Sequence, residues 1–270
     1  MMQLRYIPSV RLRQFAVLTT ALALLVGASA LRAQQAPSTG TQTDPPTAVI
    51  ITYRANPGKR AAFRKTMSAE GIAQLNRWQS EGVFESYNAV FSSFASDASA
   101  DMFLILRFQH FTDLGKWESI EATQPGGLPE DAQALASVDS SAVADIVNQK
   151  ASGAPTRTSQ YFVLEYDVVT DMPRYTSYVA GYIVPQFDAW MKAGILVSYS
   201  SYINQNPAGA PWSSFILLEY KDLQGLSARE FVKNKARADL SASNPVWKKW
   251  SDDKTAIRKE KTAIPALALP

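Results

Sequence analysis

The sequence predicts an α+β chain made of two copies of one βαββαβ unit, and three observations carry that prediction. Two segments of similar length, residues 47–150 and 160–270, are set off by polar, Pro-containing stretches at 34–46 (QQAPSTGTQTDPP) and 151–159 (ASGAPTRTS). From Ile72 to Leu114 the first segment superposes on the second under one gapless shift of 112 residues, which lays Gln74, Trp78, Gly82, Ser86 and Tyr87 over Gln186, Trp190, Gly194, Ser198 and Tyr199. Each segment also alternates short apolar runs with stretches of helical periodicity.

The elements follow in order. Residues 1–33 read as a secretory signal peptide: Arg5, Arg11 and Arg13 precede an apolar run from Phe15 to Gly27, and the small-residue sites at Ala30 and Ala33 suit cleavage. That run is shorter than the roughly 20 residues needed to span a bilayer, so no stable membrane span is expected after cleavage and the protein is expected to be exported, periplasmic or secreted. Residues 34–46 have the composition of a disordered linker.

Each copy then opens with a buried strand, AVIITY from Ala48 and YFVLEY from Tyr161. A helix follows. Tyr175, Val179, Ile183, Phe187 and Trp190 form one apolar stripe in the second copy, and Phe63, Met67, Leu75 and Trp78 do so in the first. Gly82 and Gly194 stand where a left-handed C-terminal cap turns the chain into the next strand. A hairpin comes next, with arms over 83–94 and 102–109 and over 195–203 and 214–221. A second helical region begins near Asp113 and near Leu226, and a final strand is expected at SAVADIV from Ser141 and TAIPALAL from Thr262. This is the split βαβ plan of the ferredoxin-like fold. The strands FLILRF and FILLEY are apolar on both parities, so both faces of each sheet need cover; helices supply one, and the other copy's sheet is the evident supplier of the second.

Composition excludes whole classes of chemistry. The chain has no cysteine, so thiolate nucleophiles, disulfides and Fe–S ligation are absent, and its one histidine is His110. No metal and no cofactor is expected from that inventory. The formal charge of +3 belongs to the leader: residues 1–33 hold four of the 27 basic residues and no acid, leaving 23 against 24 acidic. Nucleic acid is therefore not an expected partner. The basic run WKKWSDDKTAIRKEK from Trp247 interleaves both signs and reads as a solvated helix. Phosphate loops, HExxH, G-x-S-x-G and paired carboxylates at helical spacing are all missing.

Six residues form the candidate pocket. Tyr87 and Tyr199 stand on the hairpin's first arm, where parity leaves them pointing either into the space between the sheets or under a helix, with Asn88 beside Tyr87. Arg107 and Glu219 occupy equivalent places on otherwise apolar strands; the opposite signs suit a cross-barrel ion pair or a guanidinium that orients an acidic ligand. His110 lies just past a strand among aromatics, and Asp222 is its counterpart. Trp78 and Trp190 close helix stripes and read as core.

The strand AVIITY, the helix ends RWQSEGV and AWMKAGI, and FLILRF or FILLEY with the helix after it resemble the dimeric α/β-barrel superfamily, most nearly its NIPSNAP-like and antibiotic-biosynthesis-monooxygenase-like branches. The resemblance covers nearly all of 47–270 and implies that the two copies close one barrel within the chain. Haem-binding relatives use a histidine ligand, for which only His110 is available; cofactor-free oxygenase relatives surround an aromatic substrate with Asn, Trp, Tyr and Arg. The leading expectation is a protein that binds a small apolar or aromatic molecule between its sheets. The alternative is a cofactor-independent oxygenase with Tyr87 or Tyr199, Asn88 and Arg107 as positioning groups, and a third reading is a structural module that recruits a partner by its sheet edges. Either a monomer with a pseudo-dimeric barrel or a homodimer is compatible with the duplication.

Overall fold

The computed structural model describes residues 45–269, so the predicted signal peptide and residues 34–44 of the linker lie outside the described residues. The first half runs β1 (Thr47–Ala55), α1 (60–80), β2 (Ser86–Ser92), β3 (Met102–Phe108), α2 (Leu114–Glu121), α3 (Glu130–Gln133) and β4 (Ala136–Ala151). The second repeats the order in β5 (Gln160–Val168), α4 (172–192), β6 (Leu196–Asn204), β7 (Ser214–Tyr220), α5 (Leu223–Ser227), α6 (Arg229–Ser243), α7 (Pro245–Asp253) and β8 (Arg258–Ala268). Both α1 and α4 contain one π-helical turn, Met67–Gly71 and Val179–Ile183, at equivalent places. Gly82 and Gly194 follow these helices with φ of 68° and 75°, the left-handed caps that the spacing predicts.

The last strands begin earlier than their apolar cores suggest, at Ala136 and Arg258 rather than at Ser141 and Thr262. Their leading residues are polar or small, and a neighbouring strand, not hydrophobicity, holds them in the ladder.

Eight antiparallel strands close a barrel in the order β1-β3-β2-β8-β5-β7-β6-β4. The final strand of each half makes the seam with the other half: β4 pairs with β1 and β6, and β8 pairs with β5 and β2. The two halves match down to an irregularity, since a register shift falls between Thr52 and Tyr53 in one and between Glu165 and Tyr166 in the other.

Strand parity divides the core into three. Outward residues of each half pack under its own helices, with Trp78 in the first cluster and Trp190 in the second. Inward residues meet inside the barrel, where Ile50, Phe103, Ile105, Val163, Phe215 and Leu217 are all buried. Each such side chain contributes about 1.5–3 kcal/mol relative to exposure, so filling the barrel is a large part of what holds the halves together. It also corrects the expectation of an apolar cavity between the sheets: side chains occupy the barrel's middle.

Candidate functional site

Five of the six predicted residues, Tyr87, Asn88, Arg107, Tyr199 and Glu219, line one cavity, and His110 lies apart. Asn88, Arg107 and Glu219 have inward parity and converge on one mouth of the barrel, beside this cavity of about 530 Å³, which is partly walled by Ala151, Gly153 and Pro155. Arg107 donates from Nη2 to Asn88 Oδ1 at 2.6 Å and from Nε to the Tyr202 hydroxyl at 3.0 Å. Glu219, only 2% exposed, accepts from the hydroxyls of Ser159 at 2.8 Å and Ser198 at 2.7 Å. Arg107 and Glu219 form no ion pair; each is satisfied by its own neutral partners, which is how a buried charge is usually tolerated. Tyr161 stands beside the carboxylate, and burial first, then the Glu219 charge, push its phenol well above the ordinary value.

Tyr87 and Tyr199 also line this cavity, but they pack against the helices and their hydroxyls are tied there. Their hydroxyls donate to Asn76 Oδ1 at 2.8 Å and Asp188 Oδ1 at 3.3 Å, equivalent positions on α1 and α4. Burial, then the charge of Asp188, push the Tyr199 phenol up to about 12, so it is a neutral donor at ordinary pH. His110 is exposed and caps a short turn, Phe111–Asp113, its backbone N–H donating to Asp113 Oδ2 at 3.2 Å. Asp222 caps α5 with its own side chain, Oδ1 accepting from the Gly225 N–H at 2.7 Å. His110 lines neither the mouth nor the cleft described next.

A second cavity, of about 470 Å³, lies on the outer face of the second half between the sheet, α4 and α6. Its walls are Tyr166, Tyr182, Phe187 and Trp190, and five cations line it against two carboxylates, Glu230 and Glu260. Arg229, Lys233 and Arg237 come from one face of α6, Lys254 precedes β8, and Arg258 opens that strand.

Arg258 lies over the Tyr166 ring at 3.7 Å and near the Tyr178 ring at 5.3 Å. Among the described residues it makes no ion pair, and its buried Nη1 has no hydrogen-bond partner. Arg229 sits over Phe162 at 4.4 Å and pairs with Glu230 at 2.6 Å, yet its buried Nε is likewise without a partner. Glu230 is also bound by Lys233, which with Arg229 holds its carboxyl below the usual range. Glu260 is the cleft's other carboxylate; its contact is the Tyr166 hydroxyl at 3.5 Å, and burial pushes that phenol up to about 12.

Behind the cleft the rings of Tyr175, Tyr178, Tyr182 and Trp247 stack in a column at 6.0, 5.0 and 4.8 Å. The sequence carries one signal of this site, the four-residue spacing of Arg229, Lys233 and Arg237, which places three cations on one helix face. Arg258 is hidden within the basic run read as a solvated helix, because that run divides between α7 and the start of β8.

No protein-family model matches the chain, and no curated protein matches its sequence. The fold has solved counterparts. A candidate monooxygenase from Fusobacterium nucleatum aligns with a TM-score of 0.52 at 10% identity, covering 84% of this chain and 94% of its own. An anthrone oxidase-like protein aligns with a TM-score of 0.50 at 12% identity, covering 84% of this chain and 92% of its own. At such identities the likeness establishes the fold alone, an α+β architecture around one closed eight-stranded antiparallel barrel. Among the described residues no helix is long and apolar enough to cross a membrane, and no cluster of His, Cys, Asp or Glu is arranged to hold a metal.

Proposed function

We propose that the chain is an exported, cofactor-independent oxygenase acting on a small aromatic substrate, built of ferredoxin-like repeats at 47–150 and 160–270, with its site in the cleft of the second. One observation carries the reading: an aromatic-walled cleft of small-molecule size holds a guanidinium without a counter-ion, Arg258, beside a carboxylate that no ion pair engages, Glu260. Two proteins that share the fold bear names of oxidising enzymes, one a monooxygenase and one anthrone oxidase-like, which favours turnover over simple retention of a ligand. The leader's composition supports export.

The chemistry follows from charge placement. An aromatic substrate with an activated CH₂ lies against Tyr166 and Trp190, and Glu260 takes one of its protons. Arg229 stabilises the resulting anion in a site partly screened from water. The carbanion reduces O₂ and forms a C–O bond; the peroxide is protonated by Glu260 and loses water, leaving a carbonyl. One oxygen atom stays on carbon and the other departs as water with the two hydrogens that the CH₂ lost. Tyr166, a neutral phenol at ordinary pH, donates rather than accepts during these steps.

Anthrone in an oxygen-electrode cell is the test. Purified protein is expected to consume O₂ mole for mole with anthrone above the uncatalysed rate, and Glu260→Gln to lower kcat about 100-fold with binding retained. Bound anthrone without O₂ uptake would make the protein a binder and refute the oxygenase reading.

A further inference from the structure

Comparison of the two repeats shows what became of the equivalent cleft in the first. The shared register shift fixes the correspondence: Ala55 pairs with Ala136 where Val168 pairs with Arg258, and Tyr53 pairs with Val138 where Tyr166 pairs with Glu260. The two charged residues of β8 thus stand where the first repeat has alanine and valine.

The space above them differs as well. In the first repeat it is taken by the chain itself, the turn Pro125–Gly127, which crosses Tyr53 so closely that the Tyr53 hydroxyl donates to the Gly126 carbonyl at 2.5 Å. A side chain at Gly126 would come within 2.5 Å of Val138, and one at Gly127 within 2.6 Å of Trp117. Gln74 ties this plug down, donating to the Gly127 carbonyl at 3.2 Å. Its counterpart Gln186 instead accepts from Arg237 Nε at 2.7 Å and holds that guanidinium at the cleft's rim. Where the first repeat puts a plug, the second has the cation-bearing helix α6.

We infer that the repeats have diverged into a self-plugged half and a ligand-taking half, and that the second half takes its ligand as an anion, an aromatic carboxylate. The inference rests on the second-repeat cleft being the site proposed above and adds the substrate class. The aromatic walls would hold any flat ring, so they do not select. Selection comes from the residues that the first repeat lacks: five cations face two carboxylates, one of which is already engaged by Arg229 and Lys233. A carboxylate supplies the counter-charge that Arg258, in no ion pair among the described residues, lacks. A neutral ring of the same shape leaves that charge uncompensated.

Isothermal titration of the chain with 2-naphthoate and with 2-naphthalenemethanol reads this directly. Naphthoate is expected to bind at least tenfold more tightly than the alcohol, and the preference to shrink as salt is raised. Arg237→Met, at the rim, is expected to weaken naphthoate at least threefold and leave the alcohol unchanged. Arg258→Ala with Glu260→Val, which restores the first repeat's residues, is expected to abolish the preference; circular dichroism establishes that this variant is folded, and Arg237→Met carries the test if it is not. Equal affinities for acid and alcohol, or naphthoate binding indifferent to Arg237→Met, would overturn the inference. Naphthoate binding without anthrone oxidation leaves the inference standing and refutes the oxygenase reading; anthrone oxidation without naphthoate preference does the reverse.

Discussion

At the scale of single residues, the duplication exposes how one fold position takes different chemistry. Thr52 and Ser140 share a hydrogen bond of 2.8 Å inside the first half of the barrel, and the equivalent pair in the second half is Glu165 and Thr262, at 2.7 Å. A neutral contact has been replaced by one with a titratable group. Burial pushes the Glu165 carboxyl above the usual carboxylate range, against the opposing pull of the Thr262 hydrogen bond. The folded state therefore binds this proton more tightly than the unfolded chain does. Its contribution to stability is fully present below the unfolded-state pKa and is lost as pH rises through the raised folded value. Glu165→Gln keeps the acceptor for Thr262 and removes the ionisation. Urea midpoints measured from pH 4 to 8 are expected to decline less for Glu165→Gln than for the parent, and parallel curves would show that Glu165 ionises in the folded protein as freely as in water.

At the scale of elements, the turn Pro125–Gly127 fills over Tyr53 the space that over Tyr166 is an open cleft walled by α6. The plug's geometry leaves no room for side chains: Gly126 and Gly127 have φ of 60° and 65° and meet Val138, Tyr53 and Trp117 at close range. Gly126→Ala adds left-handed backbone strain to overpacking and is expected to cost on the order of 2–4 kcal/mol. Gly115 lies in α2 with nothing within 4 Å of its added Cβ, so Gly115→Ala is expected to stabilise by about 0.5–1 kcal/mol. Thermal melts of the two variants check both signs; a Gly126→Ala melt equal to the parent's would mean that the loop is free to leave that space. In the sequence QPGGLPED is legible as a break in the chain, but not as a plug, because nothing local says that Tyr53 and Trp117 lie beneath it.

At the scale of the whole molecule, the barrel was legible where patterns are dense and the site was not. The gapless shift of 112 residues, the helix stripes and the doubly apolar strands β3 and β7 point to two matching halves that bury their sheets on each other, and they do. The sequence marked Arg107 and Glu219 only as charges on otherwise apolar strands, and parity could not place Tyr87 or Tyr199, whose hydroxyls are bonded to Asn76 and Asp188 on the overlying helices. The cleft is assembled from α4, α6 and β8, segments separated by up to about 90 residues, and its Arg258 is concealed in a run of mixed charge. Only the comparison of equivalent ladder positions sets it apart. The two seams also differ: β4 and β6 pair over seven residues, while β8 meets β2 over three, so the repeats are unequal as structural partners as well as in their clefts. A crystal structure of the protein grown with 2-naphthoate tests the central claim most directly. The account predicts the naphthalene ring in the second-repeat cleft against Tyr166, its carboxylate at Arg258, and the Gly126 plug seated in the first repeat. Naphthoate at the barrel mouth on Arg107, or in place of the displaced plug, would contradict it.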